Sequence, residues 1–153
     1  MTPIERTLAE KGITLPDPPA PKGNYLPYRI SGNQLILSGV LAVENGNIRY
    51  AGKVGDGQTV EEGYVAARLC ALNALAAIKG ALGSLDRVTQ FLLVNGFVNA
   101  VPGFAESPQV INGASDFLVE VFGDAGKHAR AAVAVTGLPL GSTVELQISV
   151  EFD

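Results

Sequence analysis

Apolar and polar positions along the chain predict two long helices separated by shorter strands. Downstream of Thr59, apolar residues recur at spacings of three and four, which is typical of a helix with one buried face. Thr59 and Glu62 have the spacing of a capping box, and Gly83 is a suitable stop. The second helix is predicted to start at Ser107-Pro108, with serine as the cap, and to end at Gly123.

Shorter apolar runs on either side of these helices predict β-strands. They cover residues 28–30, 34–38, 41–43, 48–50, 88–94, 130–135 and 144–151. Turn residues at 31–33 and 44–47 predict two hairpins, and a further turn is expected at 137–141. Residues 88–94 are mostly apolar, as in a central strand buried on both faces, whereas apolar and polar residues alternate in the last strand.

The order of these elements predicts a two-layer α+β sandwich with a mixed β-sheet. Each long helix connects two strands and can serve as a right-handed crossover, which places both helices on one face of the sheet. The helices then leave the other apolar face uncovered. Self-association is the simplest way to cover it.

The first 24 residues are predicted to form an addition to one domain that spans residues 1–153. Thr2, Pro3 and Glu5 have the pattern of a helix start, and Gly12 is a suitable end. Four prolines between Leu15 and Tyr25 then favour an extended arm.

Composition and charge narrow the classes of function. The chain has 153 residues, a net charge of −4 and no run of lysine or arginine, which argues against nucleic acid as the main partner. The single cysteine, Cys70, lies in an apolar helix and suggests core packing. Neither a signal peptide nor a membrane span is indicated, so we expect a cytoplasmic protein that does not bind membranes.

Two charged residues in the C-terminal strands are candidates for catalysis. The Arg130 guanidinium can hold a carboxylate through two hydrogen bonds, and Lys127 and His128 add to a local cationic spot. Arg130 could instead cap a helix or pair with an interface carboxylate. Glu145 could activate a water molecule if it is partly buried, although its place in an alternating strand is also typical of a solvated face.

Other types of site find less support in the sequence. His128 could act as a base or be a solvated loop residue, and the chain offers no cluster of partners for a metal site. No Ser-His-Asp arrangement is evident. The glycine-rich loop at 52–57 lacks the Lys-Ser/Thr ending of a phosphate-binding loop.

The C-terminal residues resemble the signature of a known family. Residues 129–133 (ARAAV), Leu138-Pro139 and Val144-Glu145 have the spacing found in the Rid family, also called YjgF-like. Its members carry labels such as "endoribonuclease L-PSP" and "translation inhibitor". Tyr25 and the segment 32–39 agree with the family upstream, and Asn112 falls where the family has an asparagine, so the resemblance covers about residues 25–152.

The resemblance implies a chorismate-mutase-like fold, a homotrimer with sites in the clefts between subunits, and an enamine/imine deaminase. Such hydrolases, of the 2-iminobutanoate/2-iminopropanoate deaminase type, convert 2-aminoacrylate-like intermediates into 2-oxo acids and ammonia without a cofactor. Arg130 would hold the substrate carboxylate and Glu145 would position the water. The expected substrate-binding residues are Tyr25, Ser38, Gly39, Asn112, His128 and Ala132.

The chain departs from the small archetype in three places, which keeps other functions open. The N-terminal helix and arm are additional, as is some length around residues 97–107, and Ala132 stands where the archetype often has cysteine. A non-catalytic trimer that binds a small metabolite is one alternative. An RNA-cleaving translation inhibitor is another, although the net charge and the single histidine oppose it.

Overall fold

The computed structural model of the chain describes residues 1–18, 20 and 23–153. The helices are α1 (Pro3–Glu10), α2 (Val60–Leu82) and α3 (Ser107–Phe122). The strands are β1 (Tyr28–Ser31), β2 (Gln34–Leu37), β3 (Val40–Leu41), β4 (Val43–Glu44), β5 (Asn47–Ile48), β6 (Lys53–Val54), β7 (Gly57–Gln58), β8 (Val88–Asn99), β9 (Ala129–Val135) and β10 (Val144–Phe152). Short 3₁₀ helices occupy Leu85–Arg87, Gly123–Gly126 and Pro139–Gly141.

The main sheet is mixed, as predicted, with the strand order β1-β2-β10-β8-β9. β10 is antiparallel to β2, β3 and β8, whereas β9 runs parallel to β8. The two C-terminal strands are therefore not neighbours. The connection through Pro139–Gly141 passes the end of β8, and β9 lies at the edge of the sheet while β10 lies in its interior.

Both long helices cover one face of the sheet, which confirms the two-layer α+β architecture. Val94, Leu146 and Ile148 are fully buried beneath the helices. α2 is long and apolar enough to cross a membrane, but 61% of its most apolar window is buried inside the chain, as in the core helix of this sandwich. α2 and α3 touch at Gly113, where a Cβ would lie 1.9 Å from the carbonyl oxygen of Tyr64.

The other face of the sheet is open in the single chain. Ile36, Leu93 and Val133 are 40%, 37% and 46% exposed, so this face carries apolar side chains without a covering layer. The open face agrees with the expectation that the helices of the chain cover only one side of the sheet, and its covering by self-association stays a prediction. β8 also extends to Asn99, so residues 97–99, which were assigned to additional length, belong to this strand.

Local signals in the sequence give most helix ends correctly. The capping boxes of Thr2 with Glu5 and of Thr59 with Glu62 are both formed, and Gly83 ends α2 in a left-handed conformation. The prediction of Ser107 as a cap is wrong. Ser107 is the first residue of α3 and is buried, and Glu106 takes the cap position before it. No side chain forms a capping hydrogen bond at this end of the helix.

Two predictions in the first third of the chain need correction or lie partly outside the described residues. The hairpin around residues 44–47 exists as β4 and β5, but it is shorter than predicted, and Val40–Leu41 joins the main sheet instead. The extended arm is described only in part. Residues 13–18 and 20 contain no helix or strand, and Pro18 packs on Gly80 of α2.

Candidate functional site

The two candidate catalytic residues lie on opposite faces of the sheet. Arg130 in β9 is paired with Val94 of β8, and Glu145 in β10 is paired with Phe97 of the same strand. Paired residues on adjacent strands point the same way, whereas residues three apart on one strand point to opposite faces. Arg130 accordingly faces the helices and Glu145 faces the open side. One chain cannot bring these two side chains to one small substrate.

The first group of polar residues, here called the arginine half-site, consists of Asn112, Ser115, His128 and Arg130. The Nη1 atom of Arg130 donates to Asn112 Oδ1 at 2.8 Å and to Ser115 Oγ at 3.1 Å. Asn112 and Ser115 are three positions apart in α3 and so share one face of that helix. Both hydrogens of Nη1 are therefore used, and the guanidinium is held in one plane.

The other edge of the Arg130 guanidinium has no partner within residues 1–18, 20 and 23–153. No described group accepts a hydrogen bond from Nε or Nη2, and no described carboxylate lies within 4.0 Å. The groups that hold the side chain are neutral, so they orient the charge without neutralising it. An edge with two parallel N–H donors and an uncompensated charge is suited to a carboxylate.

His128 is part of this half-site and is not a solvated bystander. Its Nε2 lies 2.9 Å from Ser115 Oγ, and its Nδ1 lies 2.7 Å from the carbonyl oxygen of Gly126. Lys127, by contrast, is exposed and paired with Asp124 at 3.0 Å. Of the predicted cationic spot, only His128 and Arg130 are brought together.

The second group, the glutamate half-site, consists of Tyr25, Ser38, Gly39 and Glu145. A Cβ at Gly39 would lie 2.8 Å from Glu145 Oε1, so the carboxylate rests directly over this glycine. Within the described part of the chain no group forms a hydrogen bond or ion pair with the carboxylate of Glu145. Burial raises the pKa of its carboxyl above the ordinary value for glutamate.

A cavity of about 240 Å³ lies between Gly39 and α2, and Glu145 is not among the residues that line it. Tyr25, Ser38 and Gly39 line it together with Pro18 of the arm and small residues of α2 that include Gly80. Tyr25 is 56% exposed. The Ser38 hydroxyl donates to the Leu26 carbonyl at 2.5 Å, so its hydrogen is used within the chain and the oxygen remains available only as an acceptor.

Neither Ala132 nor Cys70 adds a reactive group to either half-site. Ala132 points to the same face as Arg130 and packs against the core, so it supplies shape but no polar group. Cys70 is fully buried against β10, and burial raises the pKa of its thiol. Over the ranges that the structure describes, no cluster of three or more His, Cys, Asp or Glu side chains could hold a metal ion.

Sequence comparison assigns the chain to a family that fits this geometry. A family described as "YjgF/chorismate_mutase-like, putative endoribonuclease" matches residues 5–152, nearly the whole chain. The chain belongs to this YjgF family. The resemblance seen in the C-terminal signature is thereby confirmed, and so is the chorismate-mutase-like fold.

Several relatives match over almost their full length. Protein TCP17 of Trypanosoma cruzi is 44% identical over 151 residues, which cover 98% of this chain and 94% of that protein. The crystal structure of Atu1372 from Agrobacterium tumefaciens, a protein of unknown function, has 45% identity and a TM-score of 0.92, covering 99% of this chain and 93% of that one. The crystal structure of a protein from Shewanella oneidensis MR-1, described as "a putative endoribonuclease", has 40% identity and a TM-score of 0.94, covering 99% of this chain and 100% of that one.

These matches also bear on the N-terminal addition of this YjgF protein. Because the Agrobacterium and Shewanella structures align over 99% of the chain, α1 and the arm are not peculiar to this sequence. One member of the arginine half-site, Ser115, is not predicted from the sequence. Its i,i+3 spacing from Asn112 on a helix is the signal that could have revealed it.

Proposed function

We propose that the protein is an enamine/imine deaminase that hydrolyses 2-aminoacrylate-type intermediates to 2-oxo acids and ammonia in the cytoplasm. The observation that carries the proposal is the free edge of Arg130. A half-buried guanidinium, fixed by neutral acceptors and lacking an acidic partner among the described residues, is suited to the carboxylate of an amino-acid-derived imine. No cofactor has a part in this proposal.

The opposite placement of the two half-sites supports a site shared between copies of the chain. The open sheet face exposes Ile36, Leu93 and Val133, which a second copy can bury. In the proposed homotrimer, the arginine half-site of one subunit faces the glutamate half-site of its neighbour. Each cleft then contains one Arg130 and one Glu145, from different chains.

Glu145 has the properties of the group that activates water. Its carboxylate has no hydrogen-bond partner in the described residues, and its raised pKa favours taking up a proton. The enamine first tautomerises to the imine, with a proton moving from the nitrogen to the terminal carbon. As the water oxygen adds to the imine carbon, Glu145 accepts a proton from the water and passes it to the nitrogen, which gives a carbinolamine. The hydroxyl proton is then transferred through Glu145 to the nitrogen as the C–N bond breaks, which releases ammonia and forms the 2-oxo acid.

A distant fold relative gives the proposal chemical context. TdcF of Escherichia coli, which shares the fold at 20% identity and a TM-score of 0.63, was crystallised with bound serine. Serine is an amino acid with a free carboxylate. The ligand proposed for this chain, 2-aminoacrylate, also has three carbons and a carboxylate.

The direct test is pyruvate formation from 2-aminoacrylate released by a serine dehydratase. The purified protein should accelerate pyruvate release, and Arg130→Ala should abolish the acceleration. Arg6→Ala is the matched control, because Arg6 is exposed on α1 and lies outside both half-sites. Unchanged activity in Arg130→Ala would contradict the proposed role of the arginine.

The same assay separates the alternative functions. A non-catalytic trimer would bind a 2-oxo acid through Arg130 without accelerating pyruvate release. An endoribonuclease would degrade RNA and bind it with strong salt dependence. We favour the deaminase because the only histidine is already bonded to Ser115 and Gly126, which leaves little acid–base chemistry for RNA cleavage.

A further inference from the structure

A directed chain of hydrogen bonds links Arg130 to a backbone carbonyl. The carbonyl oxygen of Gly126 can only accept, so the Nδ1 atom of His128, 2.7 Å away, carries a hydrogen. In the neutral ring Nε2 is then an acceptor, and the Ser115 hydroxyl, 2.9 Å away, donates to it. The lone pairs of Ser115 Oγ are thereby turned toward Nη1 of Arg130 at 3.1 Å.

The turn that carries the carbonyl is itself fixed against α3. A Cβ at Gly126 would lie 2.3 Å from the backbone carbonyl oxygen of Leu118, so only glycine allows this close approach. The 3₁₀ turn Gly123–Gly126 therefore sets the position of the acceptor for His128. The chain of bonds starts from rigid backbone and ends at the guanidinium.

We propose that Ser115 and His128 are positioning residues that set the plane of the Arg130 guanidinium and thereby the affinity of the site for a carboxylate. This inference rests on the proposed function. With Asn112 alone, the guanidinium could pivot about one hydrogen bond. The second bond, from Nη1 to Ser115, fixes the plane and points Nε and Nη2 at the ligand.

The arrangement differs from that of a nucleophilic serine. A serine next to a histidine is also found in hydrolases, but there the lone pairs of the oxygen are free to attack. Here the guanidinium donates to that oxygen. Serine and histidine orient the arginine without adding a negative charge that would compete with the ligand.

Binding of pyruvate, the 2-oxo acid expected as product, tests the inference by calorimetry. Ser115→Ala and His128→Phe should each weaken binding about tenfold, since each releases a hydrogen bond that constrains a charged group. Ser115→Thr retains the hydroxyl and His128→Gln retains an acceptor, so both should bind within about twofold of the unmodified protein. Tyr64→Phe, which removes the bond from α2 to Asp116 of α3, should have no effect.

Nuclear magnetic resonance separates failure of this inference from failure of the proposed function. Because the chain has one histidine, its ring signals are unambiguous. They should show hydrogen on Nδ1, and the Nη1 hydrogens of Arg130, one of which bonds to Ser115, should exchange faster with solvent in Ser115→Ala. If pyruvate does not bind at all, the proposed function fails, and the exchange rate still tests the positioning. Unchanged Arg130 exchange in Ser115→Ala, or unchanged affinity in a protein that binds pyruvate, would overturn the inference.

Discussion

The two half-sites hold their charged groups in different ways. In the arginine half-site, three side chains and a backbone carbonyl fix the guanidinium through hydrogen bonds of 2.7–3.1 Å. In the glutamate half-site, the carboxylate rests over Gly39 and bonds to no described group, and burial raises its pKa. One half-site is arranged to bind an anion in a fixed orientation. The other keeps a carboxylate free to exchange a proton.

This difference also explains why one chain is insufficient. The hydrogen bonds of Arg130 tie it to α3, on the helical side of the sheet, whereas Glu145 faces the open side. The sheet separates the two groups within a chain. A neighbouring copy can bring them together, and its packing would also cover the exposed apolar residues of the open face.

Removing the guanidinium should give the largest effect. Arg130→Ala should lower kcat/KM for 2-aminoacrylate about a thousandfold, because two charge-assisted hydrogen bonds of roughly 2 kcal/mol each are lost. Arg130→Lys keeps the charge but not the planar pair of donors, so it should recover only part of the activity. The pyruvate-release assay measures both variants. Full activity in Arg130→Lys would show that charge alone suffices.

Neutralising Glu145 should have the next largest effect. Glu145→Gln preserves the shape of the side chain but cannot accept the proton, and should lower kcat about a hundredfold. Glu151→Gln on the same strand and the same face is the matched control and should be active. Pyruvate binding to Glu145→Gln should be nearly normal, because the arginine half-site is intact. A large loss of affinity instead would assign Glu145 to ligand binding.

Moving the carboxylate without removing it should give a smaller loss. In Gly39→Ala the added methyl would lie 2.8 Å from Glu145 Oε1, so the carboxylate must shift. We expect about a tenfold lower kcat, since misplacement of a catalytic group reduces the rate. Thermal unfolding should change little, because the carboxylate can move aside. Activity equal to that of the unmodified protein would argue against a fixed position for Glu145.

The pKa of Glu145 should produce the smallest and most specific effects. As a base it acts when ionised, so kcat should fall as the pH drops through its raised pKa, and this limb should be absent in Glu145→Gln. Because the pKa of Glu145 is higher in the folded chain than in the unfolded chain, there is a pH interval in which only the folded chain keeps the carboxyl proton. The free energy of unfolding falls as the pH rises through this interval. Glu145→Gln should therefore unfold at a slightly higher temperature than the unmodified protein near neutral pH. The difference should vanish in acid, below both pKa values.

The sequence predicts features that depend on nearby residues. Both capping boxes formed as expected because Thr2 with Glu5, and Thr59 with Glu62, act over one helical turn. The crossover order gave the two-layer fold, because connection rules restrict how strands and helices can be joined. The resemblance over residues 129–145 pointed to the family that the comparison then confirmed.

Local patterns in the sequence do not show which strands are neighbours in the sheet. The two C-terminal strands are adjacent along the chain, yet β8 lies between them in the sheet, and no local pattern indicates this separation. Ser115 carries no pattern of its own, since its role depends on contacts with β9 and with the turn before it. Ser107 looked like a cap because of Pro108, but tertiary packing buried it in the first turn.

Mixing two inactive variants tests the central claim most directly. Arg130→Ala and Glu145→Gln subunits would be unfolded together in equal amounts, refolded, and assayed for pyruvate release. If each site takes Arg130 from one copy and Glu145 from another, random assortment should restore about a quarter of the unmodified activity, although neither variant is active alone. If both residues of a site came from the same chain, the mixture would remain as inactive as its components, and the account of a site shared between copies would be wrong.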